Sequence, residues 1–422
     1  MCRPDDSLPR IVMRLIRSSL LCVAAMACAD PTDPQGKPAP ITALPRQLNT
    51  TEQALATSTT AFGIGLLREV NKSFTDGNVF ISPLSATMAL GMTLNGASSS
   101  TYDEMRGALN LPDRPLSELN ASYQGLVTML RGLDKTVDFR IANSIWYRNS
   151  FASAVAPAFL ADTRTFFDAE ASGLDFASAQ ALATINSWVN TSTNGKITKI
   201  LDQIPPELVM YLINATYFKG AWRDGFDPQR TSDGPFTTNR GQQVTAKLMG
   251  RKGGYRAAQL NGTQVVELPY GGDAFVMTVA MPAVNVDINT FIASLTPATW
   301  ASFSATLTEP GYDLVFPKFK LEWEDRLNNE LQALGMRQAF VEGGADFTRL
   351  SPTQGRNLFI SEVKQKTFVD VNEQGTEAAA VTSVGVGVTS LPPSIRIDRP
   401  FVFAIRERLS GTVLFIGKIV RP

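Results

Sequence analysis

The order of the apolar patterns along the chain constrains the fold more than any other sequence feature. One set of apolar residues recurs at helical spacing: Phe62, Leu66, Leu67 and Val70. A second helical pattern follows residues 82–85. Later, alternating or continuous apolar runs predict strands at 208–218, 265–268, 274–281, 314–319, 401–405 and 412–420. Helices first and strands later, without βαβ alternation, predict an α+β fold with largely antiparallel sheets.

The composition excludes most catalytic functions. The chain of 422 residues has no histidine, which removes Ser-His-Asp and Cys-His arrangements and every His-containing metal site. Its 3 cysteines (Cys2, Cys22 and Cys28) all precede the body, which therefore has neither disulfides nor thiolate chemistry. Basic and acidic residues both number 39, so nucleic acid is not an expected partner. We predict no enzyme, and no bound metal or cofactor.

Residues 1–28 are interpreted as a signal peptide. If translation starts at Met13, two arginines precede a short apolar run that is too short to span a bilayer. Cys28 then allows two alternatives, ordinary signal cleavage nearby or a lipobox in which Cys28 carries the lipid. We favour lipidation, because a lone cysteine there is otherwise hard to explain. The protein is expected to be secreted or anchored to the cell envelope, with the anchor as its only membrane contact.

The proline-rich residues 29–50 predict an extended, disordered tether, and the apolar patterns over residues 51–422 predict a single domain. Such a tether would hold the domain clear of a surface.

Residues 375–390 do not have the composition of an ordinary surface loop. They contain one charged residue, Glu377, and otherwise nothing larger than valine. One alternating set begins with Thr376 and has small side chains that fit the buried face of a strand. The other set begins with Glu377 and could remain exposed. A buried strand, a linker and a mobile loop fit about equally, and flanking turn signals favour an isolated strand-forming segment.

Five ordered motifs resemble those of the serpin family, and the resemblance covers about residues 55–422. The motifs occupy residues 78–85, 214–222, 371–380, 399–403 and 415–420. The resemblance, to a serpin of bacterial type, implies about nine helices, three mostly antiparallel sheets and an exposed reactive-centre loop. It also implies an inhibitor that acts as a suicide substrate of a serine or cysteine endopeptidase. The protease cleaves the loop and forms an acyl-enzyme, and the severed loop enters the main sheet as a new strand.

The resemblance also assigns the parts of the loop. Counting from Gly375 along the family's loop places the scissile bond between Thr389 and Ser390. The residues that match the family's hinge are Glu373, Gly375, Thr376, Glu377, Ala378, Ala379 and Ala380. Small residues at the hinge favour inhibition, because a large or charged inward side chain would stall insertion. The alternative is a non-inhibitory serpin-fold binding protein at the cell surface.

The residues around the scissile bond indicate the class of target. The expected contacts are Val386, Gly387, Val388 and Leu391. Their small, neutral character suits an elastase-like or subtilisin-like protease with a shallow pocket, whereas a trypsin-like enzyme would find no Lys or Arg between Lys366 and Arg396. If the target prefers Val388, the cut shifts by one residue.

Two polar clusters match the family's control points. The shutter beneath the sheet corresponds to Ser82, Ser85, Asn214 and Gln365, where Gln365 replaces the family's histidine and cannot titrate. The breach at the top of the sheet corresponds to Glu373, Lys318 and Trp222; the alternative is an exposed ion pair of little energetic value.

The family's heparin-binding helix corresponds to residues 116–133, where Arg131 is the one basic residue. Glycosaminoglycan activation is therefore not expected. We expect a monomer whose partner is the target protease.

Overall fold

The computed structural model describes residues 37–252, 255–308, 313–377 and 394–422. The α-helices in these ranges are α1 (Thr50–Ser73), α2 (Pro83–Leu94), α3 (Ser99–Ala108), α4 (Leu116–Gly132), α5 (Pro157–Phe167), α6 (Ala179–Ser192), α7 (Ile288–Ser294), α8 (Pro297–Ala305) and α9 (Asn328–Ala333). None of them combines the length and the apolar character that a bilayer span requires.

The strands in the same ranges are β1 (Val79–Ile81), β2 (Val137–Arg148), β3 (Ala169–Leu174), β4 (Met210–Ala221), β5 (Asp227–Thr237), β6 (Gln243–Lys252), β7 (Arg256–Leu260), β8 (Thr263–Pro269), β9 (Phe275–Met281), β10 (Asp313–Pro317), β11 (Phe319–Arg326), β12 (Lys364–Asn372), β13 (Gly375–Thr376), β14 (Ser394–Arg396), β15 (Phe401–Glu407) and β16 (Val413–Ile419).

These strands form three sheets. The main sheet has the order β11-β12-β13-β4-β2-β3, the buried sheet β1-β16-β15-β9-β8-β7, and the small sheet β14-β10-β6-β5. Among the described strands, β2 with β3 and β10 with β14 are the parallel pairs, and the other neighbours are antiparallel. The predicted α+β class with three mostly antiparallel sheets is confirmed.

The first two helices begin at strong local signals. Asn49 caps α1, and Glu52 completes the capping box by accepting from the Asn49 backbone N–H at 2.9 Å. Ser82 caps α2 and is followed by Pro83 at the first helical position, where a missing N–H costs nothing. Because α2 packs against both β4 and β16, it lies between the main and buried sheets.

Strand β2 was not predicted from the sequence pattern. It is a long strand in the half of the chain predicted to be helical, and it runs parallel to β3 through α5, which makes a βαβ unit that was not expected. Residues 143–146 are buried on both faces, because Trp146 packs with Ile185 and Val189 of α6. A strand covered on both sides loses its alternation, which hides it from pattern analysis.

The segment before α1 lies against the body rather than extending from it. The Lys37 ammonium is 2.5 Å from a carboxylate oxygen of Asp224, and the Ile41 backbone N–H donates to the Gly272 carbonyl at 2.7 Å. The prediction of an unpacked tether is therefore wrong for residues 37–49. Composition indicated an extended segment but not the partners that the body provides for it.

Candidate functional site

A two-residue strand lies in the centre of the main sheet. In β13, Gly375 and Thr376 pair with Asn372 and Val371 of β12 on one side and with residues 220–221 of β4 on the other. Both pairings are antiparallel, so β12 and β4 run parallel to each other. The hinge thus forms the first two residues of a central strand.

Below β13 the space between β12 and β4 continues as a cavity of about 520 Å³, which we call the slot. Residues 210–216 and 364–367 form its walls, and α2 residues between Ser82 and Thr93 line its floor. No described strand fills the slot beyond Thr376. An extended chain entering here would be antiparallel to both neighbours and could complete two ladders of backbone hydrogen bonds.

Gly375 is required by a close approach of two backbones. Its φ is +152°, and a Cβ there would lie 2.1 Å from the Gly220 carbonyl oxygen. A side chain would therefore displace either β13 or β4, which explains glycine at this point of the hinge.

Thr376 faces the interior of the molecule. Its side chain is buried, and its hydroxyl lies 2.7 Å from the hydroxyl of Tyr270. The Tyr270 ring stacks on Trp222 with the ring centroids 4.5 Å apart. The hinge threonine therefore occupies a small polar position in an aromatic pocket, and Tyr270 is a contact that the sequence did not reveal.

Glu377 is not exposed, contrary to its place in the predicted outward-facing set. Its side chain is 4% exposed, because the connection after α6 covers this face of the sheet, and Lys196 Nζ lies 3.5 Å from its carboxylate. Burial raises the pKa of the Glu377 carboxyl above its ordinary value, and Lys196 and Tyr217 oppose that change. Alternation separates the two faces of a strand but does not show which elements cover each face.

Glu373 and Lys318 form the predicted pair at the top of the sheet. The Glu373 carboxylate is 10% exposed and accepts from Lys318 Nζ at 3.0 Å and from the Thr231 hydroxyl at 2.9 Å. Burial raises the pKa of this carboxyl, but its own backbone N–H, Lys318 and Thr231 outweigh burial and leave the pKa lowered. The buried carboxylate does not match the alternative of an exposed pair.

Trp222 closes the turn that leads into the hinge. Its indole N–H donates to the Asn372 carbonyl at 2.9 Å, and its backbone N–H donates to the Gln374 carbonyl at 2.8 Å. The end of β4 therefore holds the hinge turn through both a side chain and the backbone.

Three of the four predicted shutter residues form one hydrogen-bonded unit. Gln365 accepts from the Ser82 backbone N–H at 3.0 Å and donates to the Ser82 carbonyl at 2.9 Å. The Ser82 hydroxyl donates to the Leu414 carbonyl at 2.8 Å and accepts from the Ser85 N–H at 3.2 Å. This unit ties β12, the start of α2 and the buried sheet together beneath the slot.

The fourth predicted shutter residue, Asn214, lies on the opposite wall of the slot. Its amide donates to Asn143 Oδ1 at 2.7 Å and its carbonyl accepts from the Thr216 hydroxyl at 2.8 Å. Asn143, on β2, had no distinguishing motif in the sequence. In the described part of the chain, the shutter residues thus form two groups that face each other across the slot.

Replacing Gln365 by leucine should destabilise the folded protein. The substitution keeps the side-chain volume but leaves the buried Ser82 N–H without its acceptor, at a cost of about 1–3 kcal/mol, while the Ser82 carbonyl still accepts from the Ala86 N–H at 3.1 Å. Urea unfolding followed by fluorescence would measure the loss. Gln180→Leu is the control, because the Gln180 side chain is exposed, and an equal effect of both substitutions would contradict a role for the Ser82 contact.

The other predicted site residues lie outside the described residues. They are Cys28, Ala378, Ala379, Ala380, Val386, Gly387, Val388, Thr389, Ser390 and Leu391.

Comparisons with known proteins identify the family to which this arrangement belongs. The family model described as "Serpin (serine protease inhibitor)" matches residues 57–422. The chain belongs to the serpin family. The leukocyte elastase inhibitor of Sus scrofa is 33% identical over 384 residues, which cover 88% of this chain and 100% of that protein.

Two solved structures show the same fold. The native state of the thermophilic serpin tengpin gives a TM-score of 0.79 at 30% identity and covers 92% of this chain and 98% of that chain. Human thyroxine-binding globulin in complex with thyroxine gives a TM-score of 0.80 at 28% identity and covers 88% of this chain and 100% of that chain. The family thus includes proteins named as protease inhibitors, which are not themselves enzymes, and a protein named for a bound ligand.

Proposed function

We propose that this serpin inhibits an endopeptidase of the serine class, with cysteine proteases as a second possibility, by acting as a suicide substrate. The protease would attack the carbonyl of Thr389, release Ser390 as the new N-terminus and remain bound as an acyl-enzyme. The severed loop would then enter the slot, extend β13 and bury the small alternating side chains.

The observation that carries this proposal is the hinge already paired at the entrance of an open slot. Gly375 and Thr376 bond to β12 and β4, and the 520 Å³ cavity continues in the direction in which the strand would grow. The inserting loop would not have to start a new strand, because β13 already fixes its register against β12 and β4.

The displacement of the protease follows from strand geometry. At about 3.3 Å per residue, insertion from the hinge to Thr389 would carry the bound enzyme roughly 45 Å, about one domain diameter. A protease pulled that far against the body would lose its active-site geometry before the acyl bond is hydrolysed. The uncut protein would be a metastable state held by a kinetic barrier.

The proposed target is an elastase-like or subtilisin-like enzyme. The small neutral residues around Thr389 suit a shallow, uncharged pocket, and the relative from Sus scrofa is named for inhibition of an elastase. Intact-mass analysis of the released C-terminal peptide would distinguish cleavage after Thr389 from cleavage after Val388.

A non-inhibitory binding role is the second candidate, because the structural neighbour thyroxine-binding globulin is solved with a bound ligand. Incubation with elastase, subtilisin and trypsin, followed by a denaturing gel, separates the two roles. We expect a covalent complex with elastase or subtilisin and none with trypsin. Clean cleavage of the loop with full protease activity retained would contradict inhibition and favour the binding role.

We also propose that the protein acts outside the cytoplasm, secreted or held by a lipid on Cys28, as a monomer without glycosaminoglycan activation. Helix α4 supports the last point, since its one basic residue, Arg131, pairs with Asp168. Metabolic labelling with a lipid precursor should mark the wild type but not Cys28→Ala, and an unlabelled wild type would indicate free secretion.

A further inference from the structure

The connection that follows α6 makes a tight turn over the entrance of the slot. Asn194 and Gly195 both have positive φ, of 52° and 80°, which reverses the chain directly before Lys196. The Thr193 hydroxyl accepts from the Ile197 N–H at 3.0 Å and fixes the base of the turn. We call residues 193–197 the α6 turn.

The α6 turn contacts the three central strands of the main sheet at the point where the slot begins. The Lys196 ammonium lies 3.5 Å from the Glu377 carboxylate and 5.1 Å from the centre of the Phe368 ring on β12. On the other side, Asn194 donates to the Tyr217 hydroxyl on β4 at 3.2 Å. One short turn thus bridges β12, the residue that follows β13, and β4.

The backbone at Glu377 marks where the strand stops. Its N–H already donates to the Asp370 carbonyl at 3.0 Å, in the register of β13, but its φ is +58°. A strand continuing into the slot needs an extended residue at this position, with negative φ. The chain therefore leaves the extended conformation at Glu377, directly after the two residues of β13.

We propose that Lys196 is a positioning residue that sets the resting depth of the hinge by pairing with Glu377. Because the α6 turn lies over the entrance of the slot, further insertion must separate the turn from the sheet and break this pair. The inference deepens the proposed inhibitory function: the pair makes the uncut protein slower to insert its own loop and so preserves it for the protease.

Substitution of Lys196 tests this proposal without any protease. Lys196→Ala should convert on storage, about fivefold faster than the wild type, to a monomeric, heat-resistant form that no longer reacts with protease. Hydrogen exchange at the Glu377 amide should be faster in the unconverted protein. Lys196→Arg should restore the wild-type rate, since it keeps the charge in reach of the carboxylate.

Lys199→Ala is the matched control. Lys199 lies in the same connection after α6 but pairs with Asp202 at 2.6 Å, away from the hinge. Equal conversion rates for Lys196→Ala, Lys199→Ala and wild type would overturn the proposal. If the wild type forms no covalent complex, the proposed inhibition fails instead, while the exchange and conversion measurements still test the role of Lys196.

The pH dependence offers a second, independent readout. The titratable groups that act on the Glu377 carboxyl are Lys196 from the α6 turn, Tyr217 from β4 and Asp370 from β12. Burial raises the pKa of Glu377, so acidification should neutralise it before ordinary glutamates and remove the cost of keeping a charge buried there. A carboxyl whose pKa is higher in the resting conformation than in water favours the resting conformation when protonated, so conversion of the wild type should slow as pH falls through that range. The rate for Glu377→Gln should not follow this titration. A pH profile shared by both proteins would contradict the role of the pair.

Discussion

Thr376→Arg is expected to turn this serpin from an inhibitor into a substrate. The Thr376 side chain is 2% exposed in the uncut protein and its hydroxyl contacts Tyr270 in an aromatic pocket. An arginine should therefore be expelled from the resting β13 and would have to place its guanidinium in that pocket when the loop inserts. Burying an unpaired charge costs several kcal/mol, and each 1.4 kcal/mol slows insertion about tenfold. Hydrolysis of the acyl-enzyme would then be faster than loop insertion. The number of inhibitor molecules consumed per protease molecule should rise at least about tenfold.

Thr376→Ser is the matched control, because it keeps the hydroxyl beside Tyr270 and removes only a methyl group. Titration of residual elastase or subtilisin activity gives the stoichiometry, and a denaturing gel shows the ratio of complex to cleaved serpin. Thr376→Arg protein that traps protease as efficiently as Thr376→Ser would show that this side chain is not buried during inhibition.

Glu373→Lys is expected to make the protein polymerise. The substitution replaces a buried carboxylate that accepts from Lys318 and Thr231 with a second ammonium facing Lys318. Loss of the pair and the new repulsion should release the hinge turn and open the top of the slot. The exposed edges of β12 and β4 could then accept the loop of another molecule as a strand. Size-exclusion chromatography and native gels should show a ladder of oligomers.

A charge swap separates this mechanism from general destabilisation. Glu373→Lys combined with Lys318→Glu should restore part of the pair and reduce polymerisation. Asp113→Lys reverses the charge of a carboxylate that is 95% exposed and should remain monomeric. A Glu373→Lys protein that stays monomeric and fully inhibitory would contradict the hypothesis that the Glu373–Lys318 pair prevents polymerisation.

Some elements of the fold can be predicted from short local patterns in the sequence, without tertiary context. They include the cap at Ser82 with Pro83 and the continuous apolar runs that became β9, β15 and β16, because each depends on a few neighbouring residues. Strand β2 was missed because α6 covers its outer face and removes the alternation that would have revealed it.

The residues of the candidate site also fall into two groups, those that the sequence indicated and those that only the structure revealed. The resemblance to the family pointed to five of the site residues. Glu373, Gly375 and Thr376 lie in one of the five motifs, and Lys318 and Gln365 match the family's control points. Tyr270, Asn143 and Lys196 carry no such signal. Each acts through a partner more than 70 residues away in the chain, as the separations of 106 and 71 residues for Tyr270–Thr376 and Asn143–Asn214 show.

The sequence alone determined the α+β class, the family motifs and the small-residue segment that begins at Gly375. These features depend on residue type and spacing, which are visible without coordinates. The tertiary structure decided that the hinge rests two residues deep, that Glu373 and Glu377 are buried, and that residues 37–49 pack on the body. Those properties depend on which distant elements cover a given face, and local periodicity does not identify those elements.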